Sequence, residues 1–422
     1  MTRFAFAFTA FCVFTCSSSS AFGQTETAAA PASSQDNTRE RADWIEPAAD
    51  IRYRYEFVDQ DDFELDAHAS TLRARLGVRI RPATSLILFA EGEAVVHVGP
   101  EKFNDTTNGV IGRPIVADPE DLLLNQLYAR WSPRPGASIT AGRQSVNYDN
   151  QRWIGSVGWR QNDQTLDAIT GGMERIAGSD VDASYGYAWR VNRVFGPGSP
   201  QGVWEDTAIH MVRVGSPLGS IGNLTAYGYW LDIPEAPISS SRTLGVRLVG
   251  DPALGAGTTK ITYALEFARQ SPRGRNPSDD THSYWLFEPG LSFGSGSVKL
   301  GYERLEGNGV SALQTPLATL HAFNGWADRF LVTPPTGLRD LYLDAGYTVP
   351  NGAGPLARTG FRFAFHDYAS TAGGLDYGRE WNVSVARPLF GPVSLTLKLA
   401  NYDAAEFSTD TTKVWFQLDA RF

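Results

Sequence analysis

Residues 71–80 read "TLRARLGVRI". Leu72, Ala74, Leu76, Val78 and Ile80 fall on one face, and Arg73, Arg75, Gly77 and Arg79 on the other. A repeat of two is the side-chain period of a β-strand. A soluble sandwich would turn the apolar face to a core. An outer-membrane barrel turns it to lipid and lines a lumen with the polar face.

The alternation recurs outward from this stretch in both directions. "IRYRYEF" (51–57) sets Ile51, Tyr53, Tyr55 and Phe57 against Arg52, Arg54 and Glu56. "KITYALEFA" (260–268), "SVKLGYER" (297–304) and "FRFAFHDY" (361–368) repeat it. The runs are about 9–11 residues long, the length a tilted strand needs to cross a bilayer, against about 5–6 for a soluble strand. "RPATS" (81–85), "SPRPGA" (132–137) and "FGP" (390–392) are tight turns. They alternate with long polar connections near 99–120, 147–165, 195–206, 270–282 and 307–337. Short turns on one side and long loops on the other mark an outer-membrane barrel. The closing "KVWFQLDARF" (413–422) alternates to a terminal Phe422, the form of an assembly signal for bacterial barrels.

Strand starts near 51, 71, 86, 121, 136, 165, 181, 207, 223, 241, 259, 283, 297, 338, 358, 379, 392 and 412 predict an all-β fold. It is a transmembrane antiparallel β-barrel of about 18 strands, an even number as single-chain barrels require. The strands near 136, 165 and 207 alternate poorly and are expected to carry bulges.

The ends of the chain fit the same setting. "MTRFAFAFTAFCVFTCSSSSAFGQ" (1–24) has a basic start, an apolar run over 4–15 and small residues before position 24. It reads as a signal peptide, residues 1–23, with a lipid anchor at Cys16 as the rival. Residues 24–43 form a polar leader and 44–422 the barrel. Both cysteines, Cys12 and Cys16, lie in the signal peptide, so no disulfide or Cys metal site is expected. The six histidines are scattered without H-x-x-x-H spacing, and no cofactor or metal is implied. The net charge of −9 excludes a nucleic-acid binder.

Sorting strand residues by face separates the charges. The inward basic set includes Arg52, Arg54, Arg73, Arg75, Arg79, Arg130, Arg362, Lys398 and Lys413, and the acidic set Glu56, Glu91, Glu93, Glu266, Glu303 and Asp419. The wall is net basic, whereas the acidic excess sits in connections such as "DPED" (118–121). Arginine rings select anions and grip carboxylates bidentately. The competing reading is that Arg and Glu pair across strands and fill a polar lumen. Acidic loops would stay solvated or hold cations bridging lipopolysaccharide.

Two loops draw notice. "NYDNQRWIGSVGWRQNDQT" (147–165) offers Arg152, Arg160, Trp153 and Trp159, and "LHAFNGWADRF" (320–330) offers Phe323 and Trp326. Both fall on the external side, where their aromatics could stack on sugar rings or pack a core over the mouth. The first reads as a structured constriction. Catalysis finds no footing. Glu91 with Glu93 reads as a wall charge pair rather than a glycosidase pair.

The chain resembles the alginate-export family of outer-membrane barrels. The carriers are "RYRYEFVDQDDF" with "ASTLRARLG" (52–77), "AGRQSVNYDNQRWIGSVGWRQNDQTLDA" (141–168), "LHAFNGWADRF" with "GLRDLYLDAGY" (320–347) and Phe422. The resemblance implies a monomeric barrel with an arginine-rich pore for an acidic polysaccharide such as alginate, or for a smaller anion. It places pore arginines at Arg52, Arg54, Arg73, Arg75 and Arg79, and extends to Arg130, Arg152 and Arg160. Expected partners are outer-membrane lipid and lipopolysaccharide, the barrel-assembly machinery, the anionic solute and a periplasmic export complex. The alternative is a porin for uptake of small organic acids or apolar compounds.

Overall fold

The computed structural model describes residues 44–255 and 257–422. The signal peptide and the polar leader lie outside the described residues. The strands run β1 (Ile45–Gln60), β2 (Ala67–Ala83), β3 (Leu86–His97), β4 (Asp121–Arg134), β5 (Ala137–Gln144), β6 (Thr165–Met173), β7 (Asp182–Asn192), β8 (Val203–Trp204) and β9 (Ala208–Pro217). They continue as β10 (Asn223–Asp232), β11 (Ser241–Gly250), β12 (Lys260–Pro272), β13 (His282–Phe293), β14 (Gly296–Leu305), β15 (Leu338–Thr348), β16 (Gly360–Ala369), β17 (Asp376–Pro388), β18 (Val393–Ala404) and β19 (Thr411–Arg421).

Each strand pairs antiparallel with the next, and β19 returns to β1, with Arg52 opposite Asp419 and Phe57 opposite Val414. The two-residue β8 is a flap on β7, so 18 strands close the barrel. Closure leaves no backbone edge in lipid.

The barrel is inverted relative to a soluble protein. Leu76, Leu122, Phe287, Leu300, Phe363 and Phe416 are exposed on its outer surface, while Arg54, Arg73, Glu56 and Glu303 are buried inside. Period-two alternation produces this directly, because neighbours on a strand face opposite ways. Among the doubtful strands, a register shift falls at Asp167/Ala168 on β6 and another at Trp131/Arg134 beside β5. Strand β9 pairs without one. β1 starts at Ile45, earlier than the alternation suggests, because Glu46 and Pro47 still pair with Arg79 and Val78 of β2.

Three long connections on one end fold into the lumen: 98–120 after β3, 145–164 after β5 and 306–337 after β14. They occupy the same end as the 61–66 and 405–410 loops, opposite the tight turns at 84–85, 135–136 and 294–295.

Candidate functional site

The inward faces of β1 and β2 carry the arginine column, and each member has a definite partner. Arg52 Nε donates to Asp419 Oδ1 at 2.8 Å, and Arg52 sits opposite Arg73 across the ladder. Arg73 pairs with Asp50. Arg75 pairs with Glu93 on β3 and with Asp163 at 2.6 Å. Arg54 donates to Gln417 at 2.9 Å, lies 3.7 Å from Asp118 and puts its guanidinium 4.1 Å above the Trp159 ring. Charges this deep persist only when paired and hydrogen-bonded.

Several of those partners come from loops. Asp118 and Asp163 are buried in the lumen. The expectation that acidic connections stay solvated therefore fails at Asp118. The arginine-rich wall draws loop carboxylates inward, since facing like charges in a low-dielectric lumen would otherwise repel.

The 145–164 and 306–337 loops meet at the centre. Ile154 and Leu317 form a parallel bridge. Gly155 N donates to Leu317 O at 2.8 Å, and Thr319 N to Gln151 O at 3.0 Å. Gln164 Nε2 reaches Gly155 O at 2.8 Å and Leu317 O at 3.1 Å. Arg152 ties the loops again through Asn324 at 3.0 Å and Glu303 at 2.9 Å. Arg160 gathers three carboxylates, those of Glu56 (3.3 Å), Asp328 (3.2 Å) and Asp118 (3.9 Å).

This double segment is a partition one chain thick. Two cavities flank it, one of about 280 Å³ toward the termini and one of about 350 Å³ toward the long loops. Side chains alternate across it. Gln151, Ser156, Gly158 and Thr319 face the first cavity. Val157, Ala318 and Leu320 face the second. In the 145–164 loop three non-glycine residues hold left-handed backbone: Asp149 (φ 50), Gln151 (φ 64) and Val157 (φ 57). For a β-branched residue such as Val157 this is a strained conformation. A Cβ on Gly155 would stand 2.3 Å from Thr319 Oγ1, so only glycine allows this approach.

Both cavities are net basic. Arg160, Arg193, Arg329 and Lys413 line the outer one with Asp328 as its acid. Arg52 and Arg421 line the inner one with Asp419. The outer cavity is also largely apolar, with Phe63, Ile115, Val194, Phe195, Pro316 and Leu331 in its wall. Arg193 lies between Phe195 (4.8 Å) and Trp204 (4.3 Å). Burial lowers its pKa to about 10, so it remains a cation at neutral pH.

A linear polar network supports the partition floor. Lys398 Nζ lies 2.6 Å from His321 Nε2, and His321 Nδ1 lies 2.7 Å from Asp328 Oδ1. A neutral imidazole fits both contacts, accepting from the ammonium and donating to the carboxylate. Lys413 adds a second cation to Asp328 at 3.0 Å. The Lys398 ammonium also sits over Trp159 (3.8 Å) and Trp326 (3.9 Å).

The other residues singled out from sequence are placed as follows. Arg79 is half-exposed and pairs with Glu46 at 3.3 Å near the turn end. Arg130 is exposed and reaches Ser138 Oγ at 3.3 Å. Glu91 accepts from Asn125 (2.9 Å) and Gln126 (3.2 Å). Trp153 is buried and donates to Glu266 at 2.7 Å. Trp159 and Trp326 are buried, and Phe323 lies 4.7 Å beneath the Arg152 guanidinium. Phe422 is exposed, its backbone paired with Ala49. His321, Asp328, Lys398 and Arg193 were not singled out as a group. Their only sequence signal is charge inside an aromatic-rich loop or strand.

No protein of curated function matches the chain. The fold is that of outer-membrane porins from Pseudomonas aeruginosa. OpdO superposes with a TM-score of 0.67 at 16% identity, covering 90% of this chain and 97% of that one. OpdK with vanillate gives 0.67 at 12% identity, covering 89% and 98%. OccK2 (OpdF) in complex with glucuronate gives 0.65 at 13% identity, covering 90% and 96%. The alginate-export family model matches residues 43–190, from the first strand into the seventh. The chain is an 18-strand antiparallel barrel with the fold of these outer-membrane porins, and its residues 43–190 match the alginate-export family model.

Proposed function

We propose that the channel passes small carboxylated solutes, in particular those with an apolar body. The carrying observation is the outer cavity, where four cations stand in a mainly apolar wall above the partition. An arginine supplies a planar fork for a carboxylate, and the apolar wall replaces water around the rest of the solute. A neutral sugar gains nothing from the cations. OpdK with vanillate and OccK2 with glucuronate are solved complexes of similar barrels with small carboxylates, which supports this reading.

Passage of an acidic polysaccharide is the second reading, favoured by the family match over 43–190. A polymer needs a continuous path, so the partition would have to withdraw for as long as the chain is threaded. A small solute needs only brief opening.

On either reading the protein works as a monomer in outer-membrane lipid, without catalysis. Its signal peptide directs export, and the assembly machinery reads Phe422.

The test is a planar bilayer holding the purified protein. Reversal potentials in a salt gradient are expected to show anion preference. Benzoate and glucuronate are expected to block the current at concentrations where glucose does not. Cation selectivity would overturn the proposal. Stronger block by longer oligouronates than by monomers would move the assignment to the polysaccharide.

A further inference from the structure

At the outer rim, away from the partition, three side chains converge. His97 ends β3, and Glu101 and Glu120 come from the two ends of the 98–120 loop. One ligand atom from each lies within 4.8 Å of the others. The two glutamates are exposed, but the His97 side chain is only 4% exposed.

The imidazole is oriented from behind. His97 Nε2 lies 3.1 Å from the carbonyl oxygen of Asp118. A carbonyl only accepts, so Nε2 carries the proton, and in the neutral imidazole Nδ1 presents a lone pair. Phe103 packs against the ring edge-on at 4.7 Å and fixes its plane. Nδ1 is buried and without a hydrogen-bond partner, and Glu101 Oε1 is 3.7 Å from it. With Nδ1 unprotonated both atoms are acceptors, and a cation between them would satisfy both. Glu120 Oε1 accepts from the His97 amide at 2.7 Å, which holds that carboxylate beside the imidazole.

We propose that His97 Nδ1 and the carboxylates of Glu101 and Glu120 bind a divalent cation of the imidazole-favouring class, with Zn²⁺ as the type. Ligands on such an ion lie about 2.0–2.2 Å from it, so opposed ligands stand up to roughly 4 Å apart. A small rotation of the exposed glutamates closes the remaining distance. Water completes the shell. The Nε2–H to carbonyl bond is the outer-shell contact that fixes the tautomer of a metal-binding histidine. The nitrogen ligand separates this site from the all-oxygen sites that Ca²⁺ and Mg²⁺ prefer.

The ion would clasp both ends of the 98–120 loop. That loop delivers Asp118, whose carboxylate accepts from Gln161 N at 2.8 Å and faces Arg54 at 3.7 Å and Arg160 at 3.9 Å. The proposal stands apart from the identity of the transported solute.

The experiment uses untagged full-length protein in detergent, stripped with a chelator and dialysed against Zn²⁺. One zinc per chain is expected, with about tenfold or greater loss of affinity in His97→Gln and in Glu101→Gln. Glu101 is exposed, so Glu101→Gln tests the site without risk to the barrel. Bound zinc is also expected to slow tryptic cleavage at Lys102 and Arg113 in the wild-type chain and not in either variant. Absence of stoichiometric zinc, binding that survives both substitutions, or displacement by an equal concentration of Ca²⁺ or Mg²⁺ would each overturn the assignment.

Discussion

Trp159 and His321 lie face to face, their ring centroids 4.5 Å apart and their planes 4° from parallel. One ring belongs to the loop after β5 and the other to the loop after β14, so the stack joins the two halves of the partition. Arg54 and Lys398 stand 4.1 Å and 3.8 Å from the Trp159 ring. The barrel wall thus grips the partition through cations on an aromatic surface. Replacing Trp159 with Ala removes the stack and both wall contacts. Single-channel recordings are expected to show more frequent and longer openings, while circular dichroism is expected to keep the β-sheet signal of the intact barrel.

The backbone at Gly155 and Val157 allows the partition to be loosened or tightened by design. Gly155→Leu places a side chain where Thr319 Oγ1 already stands 2.3 Å from a Cβ, so the two loop segments cannot close. Val157→Gly relieves a left-handed conformation (φ 57) at a cost saved of roughly 1–2 kcal/mol. Open probability is expected to rise in the first variant and fall in the second, by about tenfold for the strain quoted. Equal conductance in all three proteins would remove the partition from gating.

Arg152 and Arg160 sit in one loop yet predict different outcomes. Arg160 lines the outer cavity among Glu56, Asp118 and Asp328. Arg160→Ala leaves those acids under-compensated, at an expected cost of order 3 kcal/mol in loop docking. Reversal potentials are expected to move toward cation preference. Arg152 instead holds Glu303 and Asn324 inside the loop packing. Arg152→Ala is expected to loosen the partition without altering the sign of selectivity.

How much of this was legible in the sequence follows from the range of the interactions. Strand number and the inward aim of Arg52, Arg54, Arg73 and Arg75 follow from alternation, a local property that survives translation into structure. The pairing of Ile154 with Leu317, or of Arg75 with Asp163, joins segments that share no periodicity. Nor does a loop sequence state whether it folds inward. Asp118 lies in "DPED", whose composition suits a solvated turn, yet it is buried because unpaired arginines await it. The excess of wall arginine was readable; the loop acids that answer it were not.

The same network sets a pH response. Burial holds the His321 imidazole well below its ordinary 6.5, with Asp328 pulling upward and Lys398 pushing down. A withdrawn 306–337 loop exposes His321, which then takes up a proton near pH 6.5, whereas the docked loop keeps it neutral. A group with a depressed pKa in the docked state contributes fully above its free value and loses that contribution as pH falls. Docking therefore weakens below about pH 6.5, by up to roughly 1.4 kcal/mol per pH unit. Lowering the pH from 7.5 to 5.5 is expected to raise open probability several-fold in bilayer recordings. His321→Gln has no proton to gain in this window and preserves polar contact with Lys398 and Asp328. Its open probability is expected to stay level across the range. A wild-type channel equally indifferent to pH would show that the loop stays docked whenever current flows, and that solutes pass beside the partition rather than through it.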